Sequence, residues 1–248
     1  MFKMRKELLE KNLKMYSDKI EKKENFTHVK YGDGEIICMA RRGGKNCDQH
    51  DLSLDLGNKL IESLVYLSQN PYVYFPDWYF SNPPININDD INLSFFNSLK
   101  NHYNLKLNSI QPFELIMMGW GNMEYDFLFK FLQKIKKSER KKIYVGPWRL
   151  REINCVLDID KYIEIPLINA FNNFEEILGN ILVEVEDDSI ILFSVGPMSP
   201  YLIYRILNHN TKVTLLDIGS GFDSLFVGQT RGENQATTEI SKKYIENL

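Results

Sequence analysis

Two carboxylates separated by one glycine, Asp33 and Glu35 in Lys30-Tyr31-Gly32-Asp33-Gly34-Glu35, are the residues of this chain with the clearest capacity for chemistry. Hard oxygen ligands suit Mg²⁺ or Mn²⁺, which bind phosphates when one or two protein carboxylates leave the other positions to substrate oxygens and water. A diphosphate is the matching ligand. The run before them, residues 26–31, predicts a strand, and Gly32 and Gly34 permit backbone that a Cβ resists, so the pair is expected at a strand end. An ordinary Asp-Gly turn between two strands explains the same residues without a metal, and residue chemistry by itself leaves both readings open.

Such a pair needs a scaffold, and strand-like and helix-like segments alternate along the chain. Residues 1–23 mix Leu with Lys and Glu at helical spacing, with Leu8, Leu9, Leu13, Met15 and Tyr16 on one side, and predict an amphipathic helix packed on the domain body. Further helices are expected over 51–69, capped by Asp51 or Ser53, and over 123–135, 149–157, 174–185, 201–207 and 237–247. Strands are expected over 72–75, 115–118, 142–145, 162–165, 189–195 and 212–217, with a loop over 78–90. Serial βα units imply an α/β fold: a single Rossmann-like domain over residues 1–248, its mostly parallel sheet covered by helices on both faces.

Ligands of such sheets gather at the carboxyl ends of the strands. Gly32-Asp33-Gly34-Glu35, Gly119-Trp120-Gly121, Gly146-Pro147, Gly196-Pro197 and Asp217-Ile218-Gly219 all fall there. Gly196-Pro197-Met198-Ser199 is the best phosphate loop among them, because it follows the apolar run 190–193 and carries helix-start residues. The plain alternative is that α/β loops use Gly and Pro simply to turn.

Five pieces follow one another across residues 26–219: Tyr31-Gly32-Asp33-Gly34-Glu35; Gly146-Pro147-Trp148-Arg149; Ile165-Pro166-Leu167-Ile168-Asn169-Ala170-Phe171 leading into Phe174-Glu175-Glu176-Ile177; Ser194-Val195-Gly196-Pro197; and Leu216-Asp217-Ile218-Gly219. This series resembles the GT-D-type glycosyltransferases, a nucleotide-sugar-dependent class in which an aromatic-Gly-Asp-Gly-Glu segment carries a metal-binding Asp-X-Glu motif. The resemblance implies a GT-D-like fold, with Asp33 and Glu35 holding Mn²⁺ or Mg²⁺ against the diphosphate of a UDP-sugar or related donor. Lys30, Tyr31, Gly32 and Gly34, with Gly196 and Pro197, are the expected donor-binding residues, and a glycan, glycoprotein or glycolipid hydroxyl is the expected acceptor. Asp217, at a strand end, is the candidate catalytic base for an inverting reaction, with capping of the Gly219 loop as its alternative. Two departures stand out. Lys30 occupies a position where the family usually has Arg, which trades a forked donor for a point charge. Past Gly219, Ser220-Gly221-Phe222-Asp223-Ser224 replaces the expected aromatic and acidic residues.

Composition excludes other classes. A net charge of −3 over 248 residues, without a face dominated by Lys and Arg, argues against a nucleic-acid partner. Cys38, Cys47 and Cys155 form no zinc-knuckle spacing and fit a reduced, cytoplasmic protein. No run approaches the roughly 20 apolar residues of a spanning helix, and a homo-oligomer is left open. Val213-Thr214-Leu215-Leu216-Asp217-Ile218-Gly219-Ser220-Gly221 also looks like the S-adenosylmethionine loop of methyltransferases. That loop normally opens its sheet, whereas here only residues 222–248 follow. A nonenzymatic nucleotide- or glycan-binding module and a metal-dependent nucleotide hydrolase would use the same loops. Arg41-Arg42-Gly43-Gly44-Lys45 lacks the first glycine of a phosphate loop and is followed by Asn46, so it is expected to be a turn; His50-Asp51 could approach a ligand.

Overall fold

The computed structural model describes residues 2–41, 43–46, 49–76, 87–107, 109–110, 125–219, 221–226 and 246. Its elements run α1 (Phe2–Glu21), β1 (Thr27–His28), α2 (Asp33–Met39), α3 (Leu54–Leu67), β2 (Val73–Pro76), α4 (Ile87–Tyr103), β3 (Ser109–Ile110), α5 (Tyr125–Lys137), β4 (Lys142–Pro147), α6 (Ile153–Leu157), β5 (Lys161–Ile165), α7 (Phe174–Glu184), β6 (Ile190–Phe193), α8 (Ser199–His209), β7 (Thr214–Asp217) and α9 (Asp223–Phe226). The described strands form one sheet in the order β3-β2-β1-β7-β6-β4-β5, and every pairing between them is parallel. An α/β fold with a parallel sheet is thus what the alternating segments produce.

Period-2 alternation in the strands divides the core between the two faces of the sheet. Ile143, Val145, Ile191, Phe193 and Leu215 point to the side covered by α2, α3, α7 and α8. Tyr144, Ile190, Leu192 and Leu216 point to the other side, where Leu13, Tyr16 and Ile20 of α1 meet Phe131 and Ile135 of α5. The N-terminal helix therefore packs on the body as its spacing predicts. Ser53, not Asp51, caps α3: its Oγ accepts the Leu56 N–H at 3.1 Å.

Several local expectations need correction. The strand expected over 26–31 is confined to Thr27–His28, and the carboxylate pair expected at its end opens a helix, Asp33–Met39. Part of the loop expected over 78–90 is helical, because α4 begins at Ile87; its Asn- and Asp-rich first turns hid a weak apolar stripe. The segment expected as one helix over 149–157 is a 3₁₀ turn, Trp148–Leu150, followed by α6. The strand expected over 115–118, Gly119-Trp120-Gly121 and the helix expected over 237–247 lie outside the described residues, apart from Glu246 in a turn. Lys45 and Asp51 pair through an isolated antiparallel bridge, and the Leu52 N–H donates to the Gly44 carbonyl at 2.9 Å.

One guanidinium ties the amino ends of four neighbouring strands. Arg140, only 4% exposed, donates to the Asp188 carbonyl (2.5 Å), Asn25 Oδ1 (2.5 Å) and Thr214 Oγ1 (2.8 Å), and so links the starts of β4, β6, β7 and β1. Arg140→Met should cost about 3–5 kcal/mol, since it strands these buried acceptors. It lies at the edge opposite the ligand-binding ends, so denaturant unfolding should show the loss while ligand affinity measured well below the transition stays unchanged.

His28 of β1 is fully buried against α1. The Tyr16 hydroxyl lies 3.1 Å from its Nδ1, and Nε2 has no hydrogen-bond partner. Burial, with the positive charge of Lys30, lowers its pKa from 6.5 to about 3. The unfolded chain therefore takes up a proton below pH 6.5 that the folded chain refuses until about pH 3, and acid between these values favours unfolding. Wild type should lose stability relative to His28→Gln by up to about 1.4 kcal/mol per pH unit across that window. Paired urea titrations test this, because carboxyl groups with opposing slopes are common to both proteins.

Candidate active site at the carboxyl ends of β1 and β7

The strand order turns back between β1 and β7: from β1 the chain moves outward to β2 and β3, whereas β7 closes onto it from the other half. A crevice outside the strand ends forms at such a point in open α/β sheets. The registers place His28 beside Leu216 and Phe193 beside Asp217, so the segments after β1, β6 and β7 emerge next to one another. Lys30 to Glu35, Ser194 to Pro197 and Asp217 to Gly219 are thereby neighbours. The gathering of the sequence-predicted residues is a product of topology.

Asp33-Gly34-Glu35 opens α2. Gly32 is the N-cap, and Glu35, at the third helical position, reaches back so that its Oε2 accepts the Gly32 N–H at 2.7 Å. Asp33, two residues earlier on the helix, is exposed. Both carboxylates favour a helix N-terminus, where the dipole and free N–H groups attract negative charge. Glu35 is half-buried, and that burial, with the nearby charge of Asp217, raises its pKa from 4.5 to about 7 against the opposing pull of Lys30 and the cap hydrogen bond.

Asp217 is buried at the end of β7. Its Oδ1 lies 3.7 Å from Lys30 Nζ and accepts the Gly219 N–H at 3.1 Å, while Oδ2 accepts the Lys30 N–H at 3.3 Å. Burial raises its pKa, and Lys30 together with Ser199 at the start of α8 opposes that rise. Both oxygens are thus engaged within the fold, in the loop-holding arrangement that the sequence left beside a catalytic one. Gly219 has φ +57°, and a Cβ there would stand 1.9 Å from Lys30 Nζ. The lysine ammonium therefore rests on bare backbone. Tyr31 faces inward: its hydroxyl is 2.8 Å from Ser63 Oγ, so the ring anchors the turn to α3 rather than lining the crevice.

The Gly196 loop departs from the phosphate cradle expected of it. Pro197 and Pro200 remove two N–H donors at the start of α8, and Asp217 already occupies the position of an anion there. Gly196 has φ +66°, and a Cβ on it would approach His50 Nε2 to 2.8 Å. What the loop receives is thus the His50 ring.

His50 and its supports are the part that sequence reasoning saw only faintly. The Asn169 N–H donates to His50 Nδ1 at 3.1 Å, leaving Nε2 as the protonated nitrogen of the neutral ring. Asn46 Oδ1 accepts the His50 N–H at 2.9 Å, and the Asn46 side chain packs on Gly34, where a Cβ would meet it at 3.3 Å. The His50 turn thereby leans on the first turn of α2. Arg149 Nη2 donates to Asp223 Oδ2 at 2.8 Å and joins the ends of β4 and β7. Asp223, 3% exposed, thus supplies buried acid in the segment where the sequence departs from the family pattern.

No protein-family model and no curated protein matches the chain. Solved structures do. A glycosyltransferase (DUF1792) from Streptococcus sanguinis superposes with a TM-score of 0.59 at 17% identity, over 92% of this chain and 90% of that one. A structure of domain of unknown function 1792, described as a distinct glycosyltransferase fold, gives 0.58 at 16% identity, over 92% and 88%. This chain has the fold of those glycosyltransferases. A selenomethionine-substituted structure of the same domain agrees, with a TM-score of 0.57 over 94% of this chain and 92% of that one. At such identities the likeness speaks for backbone architecture, so chemistry has to be argued from the residues that this glycosyltransferase-like sheet brings together.

Among the described residues no group of three or more His, Cys, Asp and Glu is arranged to hold a metal ion by itself. Mg²⁺ and Mn²⁺ sites completed by substrate phosphates draw on one or two protein carboxylates. The charge of Asp217 raises the Glu35 pKa, and Lys30 is a cation that opposes the rise at both carboxyls. The donor set at the opening of α2 therefore fits a hard divalent cation. Among the described residues no helix is long and apolar enough to cross a membrane.

Proposed function

We propose that this chain is a metal-dependent glycosyltransferase that moves a sugar from a nucleoside-diphosphate sugar, with a UDP-sugar as the working donor, to a hydroxyl of a glycan or glycoconjugate. The observation that carries this reading is the meeting of the Asp33-Gly34-Glu35 turn with Lys30 and Asp217 at the reversal of strand order, in a sheet shaped like that of known glycosyltransferases. Asp33 and Glu35 would hold Mn²⁺ or Mg²⁺, which when bound would supply positive charge to offset the charge that builds on the departing nucleoside diphosphate. Lys30 stands beside the same diphosphate. Asp217 keeps the Lys30 ammonium against Gly219 and fixes the strand end on which both loops rest.

A nucleotide-sugar panel with Mn²⁺ tests this by thermal shift and by release of nucleoside diphosphate. At a ligand concentration about 100-fold above Kd, binding should stabilise the fold by about 2.7 kcal/mol, which raises the melting temperature by roughly 5–10 °C in a protein of this size. S-adenosylmethionine should produce no shift, because β7 inserts into a sheet formed by the others and, among the described residues, no βα series follows its glycine loop. Stabilisation by S-adenosylmethionine, with none by any nucleotide sugar plus metal, would reverse the assignment. Release of nucleoside diphosphate that no sugar acceptor accelerates would identify a hydrolase instead.

A further inference from the structure

Beside the carboxylate turn, the structure holds a small cleft, partly open to solvent, between the start of α3 and the segments that follow β5 and β6. We infer that this cleft receives the pyranose ring of a substrate, an inference that rests on the glycosyltransferase reading and gives its sugar a place. The lining is what a neutral polyol requires. Asp51, Asn169, Asn172 and His50 present a carboxylate, two amides and an imidazole, while Phe171 and Val195 supply apolar surface for the C–H face of a ring. No Lys or Arg lines it among the described residues, and Lys45 beside it is paired with Asp51.

The polar groups are held in place before any ligand arrives. Asn169 takes a left-handed backbone conformation at φ 55°, and its side chain clasps Asp51 in both directions: Oδ1 accepts the Asp51 N–H at 2.7 Å and Nδ2 donates to Asp51 Oδ2 at 2.5 Å. The same residue's N–H fixes the His50 ring, which is 8% exposed, against Gly196. Asp51 Oδ1 is paired with Lys45 at 3.8 Å, too long for a hydrogen bond, and so keeps acceptor capacity. Vicinal hydroxyls are the natural donors to such a carboxylate. The contact between Asn46 and Gly34 sets the turn that carries Asp33 and Glu35 beside the segment of His50, which lines the cleft. A diphosphate at that turn therefore places its attached sugar, or the sugar that attacks it, next to the cleft.

Two variants isolate the cleft from the fold. Asn172→Ala removes an exposed amide, and Asp51→Asn keeps an oxygen for the Asn169 clasp while deleting the charge. Saturation-transfer NMR with methyl glycosides of glucose, galactose and N-acetylglucosamine should show binding to wild type of at least one glycoside, reduced at least tenfold in both variants, with melting temperatures unchanged. Titration with UDP, UDP-sugars and Mn²⁺ then separates the two sources of the ring. If the donor's sugar occupies the cleft, UDP affinity stays within twofold and the added affinity of the UDP-sugar is lost. If the acceptor occupies it, donor affinity stays and the acceptor KM rises about tenfold. Glycoside binding without any nucleotide-sugar binding would retain the cleft and remove the transferase reading. No glycoside binding to wild type, or binding and turnover within twofold of wild type in both folded variants, overturns the inference.

Discussion

Glu35→Gln is expected to lower Mn²⁺-dependent sugar transfer by about 100-fold or more, the scale on which loss of one charge-stabilising group acts at a reaction centre. Gln preserves the shape and can still accept the Gly32 N–H that Glu35 Oε2 now takes, so the opening of α2 survives. Only the charge is lost. In metal-free buffer the fold should even benefit at alkaline pH: the Glu35 pKa is raised from 4.5 to about 7, so its contribution to stability is present below pH 4.5 and lost as pH rises through 7, whereas Gln contributes no such slope. Asp33→Asn should reduce transfer similarly with still less effect on folding, because Asp33 is exposed. Steady-state rates across a Mn²⁺ titration, read beside melting curves, decide the matter. Wild-type turnover in either folded variant would release that residue from the metal assignment.

Gly196→Val is expected to destabilise the protein as strongly as it weakens ligand binding. A β-branched residue at φ +66° is strained by about 1–2 kcal/mol, and forcing its Cβ to within 2.8 Å of His50 Nε2 adds an overpacking cost of about 1–3 kcal/mol. Displacement of His50 also disturbs its bonds to Asn169 and Asn46. A melting temperature lower by roughly 10 °C should therefore accompany the loss of nucleotide-sugar affinity. An unchanged melting temperature with reduced UDP affinity would restore Gly196 to the phosphate-loop role suggested by its sequence. Gly196→Ala should fall between the two, since it brings the collision and the strain without the branched methyl groups.

The sequence by itself determined the layers and much of the order of elements, because period-2 and period-3.6 patterns are local signals. The apolar runs of β4, β6 and β7 and the stripe of α1 are of this kind, and each folds as its pattern indicates. It also determined which residues could do chemistry at the opening of α2, since two carboxylates among glycines are visible without a fold. It missed α2 itself: seven residues, Asp33–Met39, begun by two acids on either side of Gly34, carry almost no helical periodicity, and the helix rests on a cap formed by Glu35 and on the burial of Ile36 and Met39. What only the tertiary structure decided is partnership across the chain. Lys30 meets Asp217, Arg149 meets Asp223, and His50 sits between Asn169 and Gly196, at separations of 74 to 187 residues for the hydrogen-bonded pairs. No local pattern encodes such meetings. They follow from the insertion of β7 between β6 and β1, which brings distant strand ends into one crevice and turns glycines that looked like turns into surfaces against which Lys30 and His50 pack.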